Sequence, residues 1–156
     1  MSVFGILIFA SVTALMLYDY LNALKSRLND YDAFCALFCE IESAVARNGR
    51  TRSEAIRSFD FARYKKERLK DCLESQSEKA IKSELGNIDE EDKNMISDFF
   101  NDLPSPTAEA ELRKIRKISA GLSEKASKAR KECPDKSRVA FIIYITAVLF
   151  IFFIFV

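Results

Sequence analysis

The run VAFIIYITAVLFIFFIFV, from Val139 to Val156, contains nothing more polar than Tyr144 and Thr146. A helix that is apolar on every side has no face to turn to water, so it belongs inside protein or inside lipid. Its 18 residues reach about 27 Å as an α-helix, close to the roughly 30 Å hydrocarbon core of a bilayer. At the other end, Met1 to Tyr18 has the same length and also lacks Asp, Glu, Lys and Arg. A chain with 24 Lys and Arg against 23 Asp and Glu therefore keeps all of them between Asp19 and Arg138. This partition predicts a transmembrane helix over 1–18, a cytoplasmic helical domain over 19–138 and a second transmembrane helix over 139–156, with a net charge of +1.

The first run, with Gly5, Ser11 and Thr13, is also open to reading as a cleaved signal peptide. A signal peptide carries Lys or Arg ahead of its apolar stretch and a small-x-small cleavage site after it. Only Met1 and Ser2 precede Val3, and the run closes on Leu15, Met16, Leu17 and Tyr18, so an uncleaved anchor is expected. Orientation follows from basic residues, which stay on the cytoplasmic side. Lys25 and Arg27 follow the first run, and Lys125, Lys128, Arg130, Lys131, Lys136 and Arg138 precede the second. The expected localisation is a cell membrane with the middle domain cytoplasmic.

Within that domain the apolar residues recur with a helical period. Phe34, Leu37, Phe38, Ile41 and Val45 mark a helix over about 33–48, closed by Asn48 and Gly49. Thr51 and Glu54 have the spacing of a capping box for the next helix. Whether residues 51–85 form one helix or two is left open by the pattern. Asp89 caps a helix carrying Met95, Ile96, Phe99, Phe100 and Leu103. After Pro104, Ser105 and Pro106 start a last helix running to about Glu132, with Ile115, Ser119, Leu122, Ala126 and Ala129 as a seam of coiled-coil type. The fold class is all-α: a membrane-anchored bundle with long antiparallel helices.

Signatures of catalysis are absent from the sequence. It has no His to act as a base and no phosphate-binding glycine loop or nucleophile elbow, so no enzyme, catalytic residue, cofactor or metal is expected. Cys35 and Cys39, four apart, share a helix face but lack a further ligand pair. They are read, with Cys72 and Cys133, as small buried side chains in a reducing compartment. The basic residues of 113–131, Lys125 among them, are read as a solvated face interspersed with Glu, with no nucleic acid as partner. Arg47, Arg50 and Arg52 gather at the turn after the first helix, and these three are the candidate partner-binding residues, exposed together at a tip far from the membrane.

The segment Phe38-Cys-Glu-Ile41-Glu42, leading into Val45-Ala-Arg-Asn-Gly49-Arg-Thr51-Arg-Ser-Glu-Ala55-Ile56, resembles the stage III sporulation protein AB family. That family's pattern is a Leu-Glu-x-Glu-Ile helix, a Gly turn, Thr-Pro-Leu and Glu-Ala. Phe99 to Leu103, the break, and the helix through Leu122 to the final apolar run are similar to its second half. The chain departs from the pattern at Pro104, Thr107 and Glu111. The resemblance implies a fold similar to the cytoplasmic domain of the platform protein of type II secretion. It also implies a place in the mother-cell membrane of a sporulating bacterium, in a secretion or channel complex with other membrane proteins and a secretion-type ATPase. Two alternatives stand beside it, a lipid-surface binding protein and a small phage or stress membrane protein with a coiled-coil domain; homo-oligomerisation is compatible with any of these.

Overall fold

From Ile6 to Asn48 the chain has neither Gly nor Pro, so nothing interrupts the helical hydrogen-bond ladder once it has started. In the computed structural model, which describes residues 3–75 and 77–155, the result is one helix, α1, Val3–Asn48, of 46 residues. The separate anchor and the helix over 33–48 are thus a single element. It ends where Gly49 takes φ +58° and the Arg50 N–H bonds back to the Ala44 carbonyl at 3.1 Å.

Residues 51–85 resolve into four short pieces: α2 Arg52–Ser58, a 3-10 turn Ala62–Tyr64, α3 Glu67–Ser75 and α4 Glu78–Glu84. The break near Asp60–Tyr64 coincides with Lys65 in the left-handed region, φ 57°. The capping box at Thr51 is formed in both directions: the hydroxyl accepts the Glu54 N–H and the Glu54 carboxylate accepts the Thr51 N–H at 2.8 Å. α5 is Glu90–Asn101. Its N-cap Asp89 leaves the helix uncapped by its side chain, because Arg27 and Tyr31 engage that carboxylate instead.

α6, Ala108–Phe155, is the second long helix, 48 residues passing through Pro134 into the final apolar run. The expected start at Ser105 and Pro106 moves to Thr107, whose hydroxyl accepts the Ala110 N–H at 3.2 Å. Ser105 instead donates its N–H to Glu111. The expected end near Glu132 is overrun as well. One missing N–H at Pro134 costs about 3 kcal/mol in a helix interior, and the long ladder on either side outweighs it.

α1 and α6 lie antiparallel, held in register by Arg130–Asp32 at 2.8 Å and Arg116–Glu42 at 2.7 Å. The core begins at Tyr31 on α1 and ends at Ala126 on α6. Phe34, Leu37, Phe38 and Ile41 are buried, as their spacing predicts, against Ile115, Ile118 and Leu122. Phe38, Phe99 and Phe100 form a ring cluster with centroids 5.1–5.8 Å apart. Leu103, expected on that face, is 89 % exposed, because α5 ends at Asn101 and the chain turns away. Beyond the core only the two long helices continue, as a paired stalk. The described residues are helix and connecting turns, with no strand among them.

Candidate functional site

The turn expected to carry the partner site is built differently from the expectation. Arg47 and Arg50 are exposed, but Arg52 is 8 % exposed and points into the protein. As the first residue of α2 its side chain crosses to the α5–α6 corner. Its guanidinium carbon sits 4.0 Å from the Phe99 ring centroid. Its Nε donates to Glu111 Oε1 at 3.0 Å, a second nitrogen donates to the same oxygen, and the third donates to the carbonyls of Phe99 and of Asp102. Glu111 is 5 % exposed. Burial alone would raise its pKa, but the Ser105 N–H and the Arg52 guanidinium bond to the ionised form and hold it below the ordinary carboxylate value. The sequence offered no sign of this pair, since its members are 59 positions apart and each is of a type usually found on the surface.

Two further buried carboxylates lie along α1 and α5. Asp30, 1 % exposed, pairs with Lys66 at 2.8 Å and accepts the Asn87 N–H at 3.1 Å. Gly86, at φ +64°, passes so close that a Cβ there would stand 2.5 Å from Asp30 Oδ2. Asp92, 2 % exposed, accepts from Tyr31 at 2.8 Å and from Lys125 at 2.7 Å. Lys125 is therefore not merely solvated; the Asp92 carboxylate raises its pKa. The Tyr31 hydroxyl titrates higher than usual, through burial and then its bond to Asp92. These networks join elements, and their polar atoms are spent on one another.

Of the cysteines, Cys39 is exposed and Cys35, Cys72 and Cys133 are half-buried, so the expectation of small core side chains is met only in part. Burial, followed by the neighbouring Asp32, pushes the Cys35 thiol up to about 11, away from thiolate reactivity. Among the described residues no three or more His, Cys, Asp or Glu side chains converge as metal ligands would.

The other end of the molecule has a different character. Apart from Leu103, every exposed large apolar side chain among the described residues falls within Ile8–Tyr20 or Val139–Phe153. The antiparallel pairing sets these two stretches side by side. Met1, Ser2 and Val156 lie outside the described residues, as do the side chains of Val3, Phe4, Ile6, Leu7, Ile154 and Phe155. Among the described residues one helix, α6, has a stretch long and apolar enough to cross a membrane, and none of that stretch is buried. Between the apolar halves of α1 and α6 runs an open cleft of about 560 Å³. Next to it, where the charged part of the stalk begins, is a polar pocket of about 290 Å³, and Lys136 lines both.

Comparison with protein-family models, with curated proteins and with solved structures finds no match to this chain.

Proposed function

We propose that this protein is a non-enzymatic membrane component, anchored by two helices over 1–18 and 139–156 and serving as platform or adaptor for a cytoplasmic partner. The observation that carries this is the confinement of exposed large apolar side chains to one end of an antiparallel helix pair. In water such a surface would aggregate, whereas in lipid it needs no further cover. The basic residues of the stalk, from Lys25 and Arg27 to Lys136 and Arg138, favour a cytoplasmic domain. The finer part, a mother-cell complex with a secretion-type ATPase, draws its support from the resemblance: an anchor, a helix, a Gly turn with a capping box, and a long helix returning to a span.

Docking falls to the tip, where Arg47 and Arg50 stand in solvent about 45 Å of helix beyond Tyr18. Complementary charge there would speed encounter and fix register with an acidic partner surface. Arg52 is left out of the test, since a Glu at that position would face buried Glu111. In the native host, the tagged full chain should stay with membranes through alkaline carbonate extraction. The pair Arg47→Glu and Arg50→Glu should abolish co-purification of an ATPase, while Arg68→Glu with Lys79→Glu, both exposed, leaves it intact. Lys66 is unsuitable as a control because it holds Asp30. Release of the chain into the carbonate supernatant would overturn the anchoring, and undiminished recovery of the ATPase with the tip variant would overturn the docking role.

A further inference from the structure

The cleft between the apolar halves of α1 and α6 is walled by Met16, Leu17, Val139, Ile143, Tyr144 and Ala147. Its volume, about 560 Å³, falls within the roughly 300–1,000 Å³ typical of small-molecule sites. A mostly apolar cleft opening onto lipid is filled by something of acyl character, because a polar ligand is not stable against its apolar walls. At its cytoplasmic mouth the lining changes abruptly. The adjoining pocket carries Arg27, Lys125, Lys128 and Lys136 against Asp89 and Glu132.

Ion pairs within the protein take up part of this charge. Arg27 is bound to Asp89 at 2.7 Å and Lys125 to Asp92 at 2.7 Å. Lys128 and Lys136 share the single carboxylate Glu132, at 3.9 Å and 2.6 Å, so one positive charge of the two is left over. The neighbouring Lys25, Lys131 and Arg138 are exposed and form no ion pair among the described residues, so with the charge left over they face three exposed carboxylates that form none either, Asp19, Glu124 and Asp135, the last lining the cleft. The Arg27 side chain adds a buried Nε without an acceptor among the described residues. A net positive charge at a polar pocket, opening onto an apolar cleft, matches a molecule with an anionic head and a hydrocarbon tail.

We propose that the cleft and its polar mouth together bind one phospholipid of net negative headgroup, with an acyl chain between the two apolar helices and the phosphate beside Lys136 and Lys128. The site depends on the membrane insertion proposed above and adds a specific lipid to it. Lys136 lines both the cleft and the pocket, with its ammonium on Glu132 at 2.6 Å, a position suited to a long cationic side chain at a membrane surface.

The test uses the full chain in nanodiscs of phosphatidylcholine doped with spin-labelled phosphatidylglycerol or spin-labelled phosphatidylcholine, reading the motionally restricted fraction of each label. Phosphatidylglycerol should be restricted preferentially. Lys128→Gln and Lys136→Gln should each reduce that preference by about fivefold, the worth of one cation near an anionic surface. Ala147→Phe, which fills the cleft without touching a charge, should lower the restricted fraction of phosphatidylglycerol while the helical circular dichroism stays unchanged. Equal restriction of the two lipids by the wild-type chain, or a preference that survives both lysine substitutions, overturns the site and leaves the anchoring untouched. A chain that fails to enter the nanodisc overturns the anchoring, and the site with it.

Discussion

Arg52 and Glu111 are both charged, both nearly excluded from water and joined through two guanidinium nitrogens. For such a pair the desolvation cost rivals the attraction, so its presence is weak evidence for stability, whereas removing one partner leaves a buried charge alone. Arg52→Ala should therefore destabilise the protein by about 3–5 kcal/mol, and Arg52→Met combined with Glu111→Leu should cost less than Arg52→Ala by itself. Denaturant unfolding of the full chain in detergent, followed by circular dichroism, measures both; a double-variant cost equal to the sum of the two single variants would mean that the residues act independently. The pH dependence has a definite sign. Glu111 titrates below its ordinary value in the folded chain, so its contribution is present above the ordinary carboxylate range and is lost as pH falls through the lower folded value. Melting temperature should fall less on acidification below about pH 4 in Glu111→Gln than in the wild type, after both are referenced to their values at neutral pH.

At the scale of elements, the ring cluster of Phe38, Phe99 and Phe100 ties α1 to α5. Phe38 is fully buried, and truncating a buried Phe to Ala typically costs about 3–5 kcal/mol. Phe38→Ala should lower the melting temperature of the full chain in detergent by about 10 °C or more. Lys117→Ala, at an exposed position of α6, should leave it nearly unchanged; comparable shifts would mean that the core lies elsewhere. The α1 stripe was legible in the sequence because Phe34, Leu37, Phe38 and Ile41 repeat at helical spacing, and the Thr51 capping box because its signature is local. Three things were not legible. The continuity of α6 through Pro134 depends on the summed ladder to either side, which outweighs a breaker visible at one position. The start of α6 at Thr107 depends on Glu111, whose carboxylate takes the Ser105 N–H. The loss of Arg52 from the tip depends on a corner assembled from residues 47 to 59 positions away. Local signals survive in a sequence, and partnerships of long separation do not.

For the molecule as a whole, the antiparallel pairing of α1 and α6 requires both apolar ends to emerge on the same side. A reporter fused after Asn87, in the domain, should behave as cytoplasmic, and alkaline phosphatase placed there should be inactive; active phosphatase at that position would invert the proposed orientation. The unbroken course of α1 has a mechanical consequence. Its 46 residues make a rod about 69 Å long, of which about 24 Å belongs to the apolar run and about 45 Å lies beyond it. The outer arm is nearly twice the inner one, so under the anchoring proposed above the helix pair would be a lever with its fulcrum at the lipid surface. Apolar runs of about 25 Å respond to a change in bilayer thickness by changing their tilt, and about 20° is ordinary for membrane helices. A swing of that size would carry Arg47 and Arg50 about 15 Å sideways. Anything held at the tip would then feel the thickness of the bilayer, amplified by the length of a single helix.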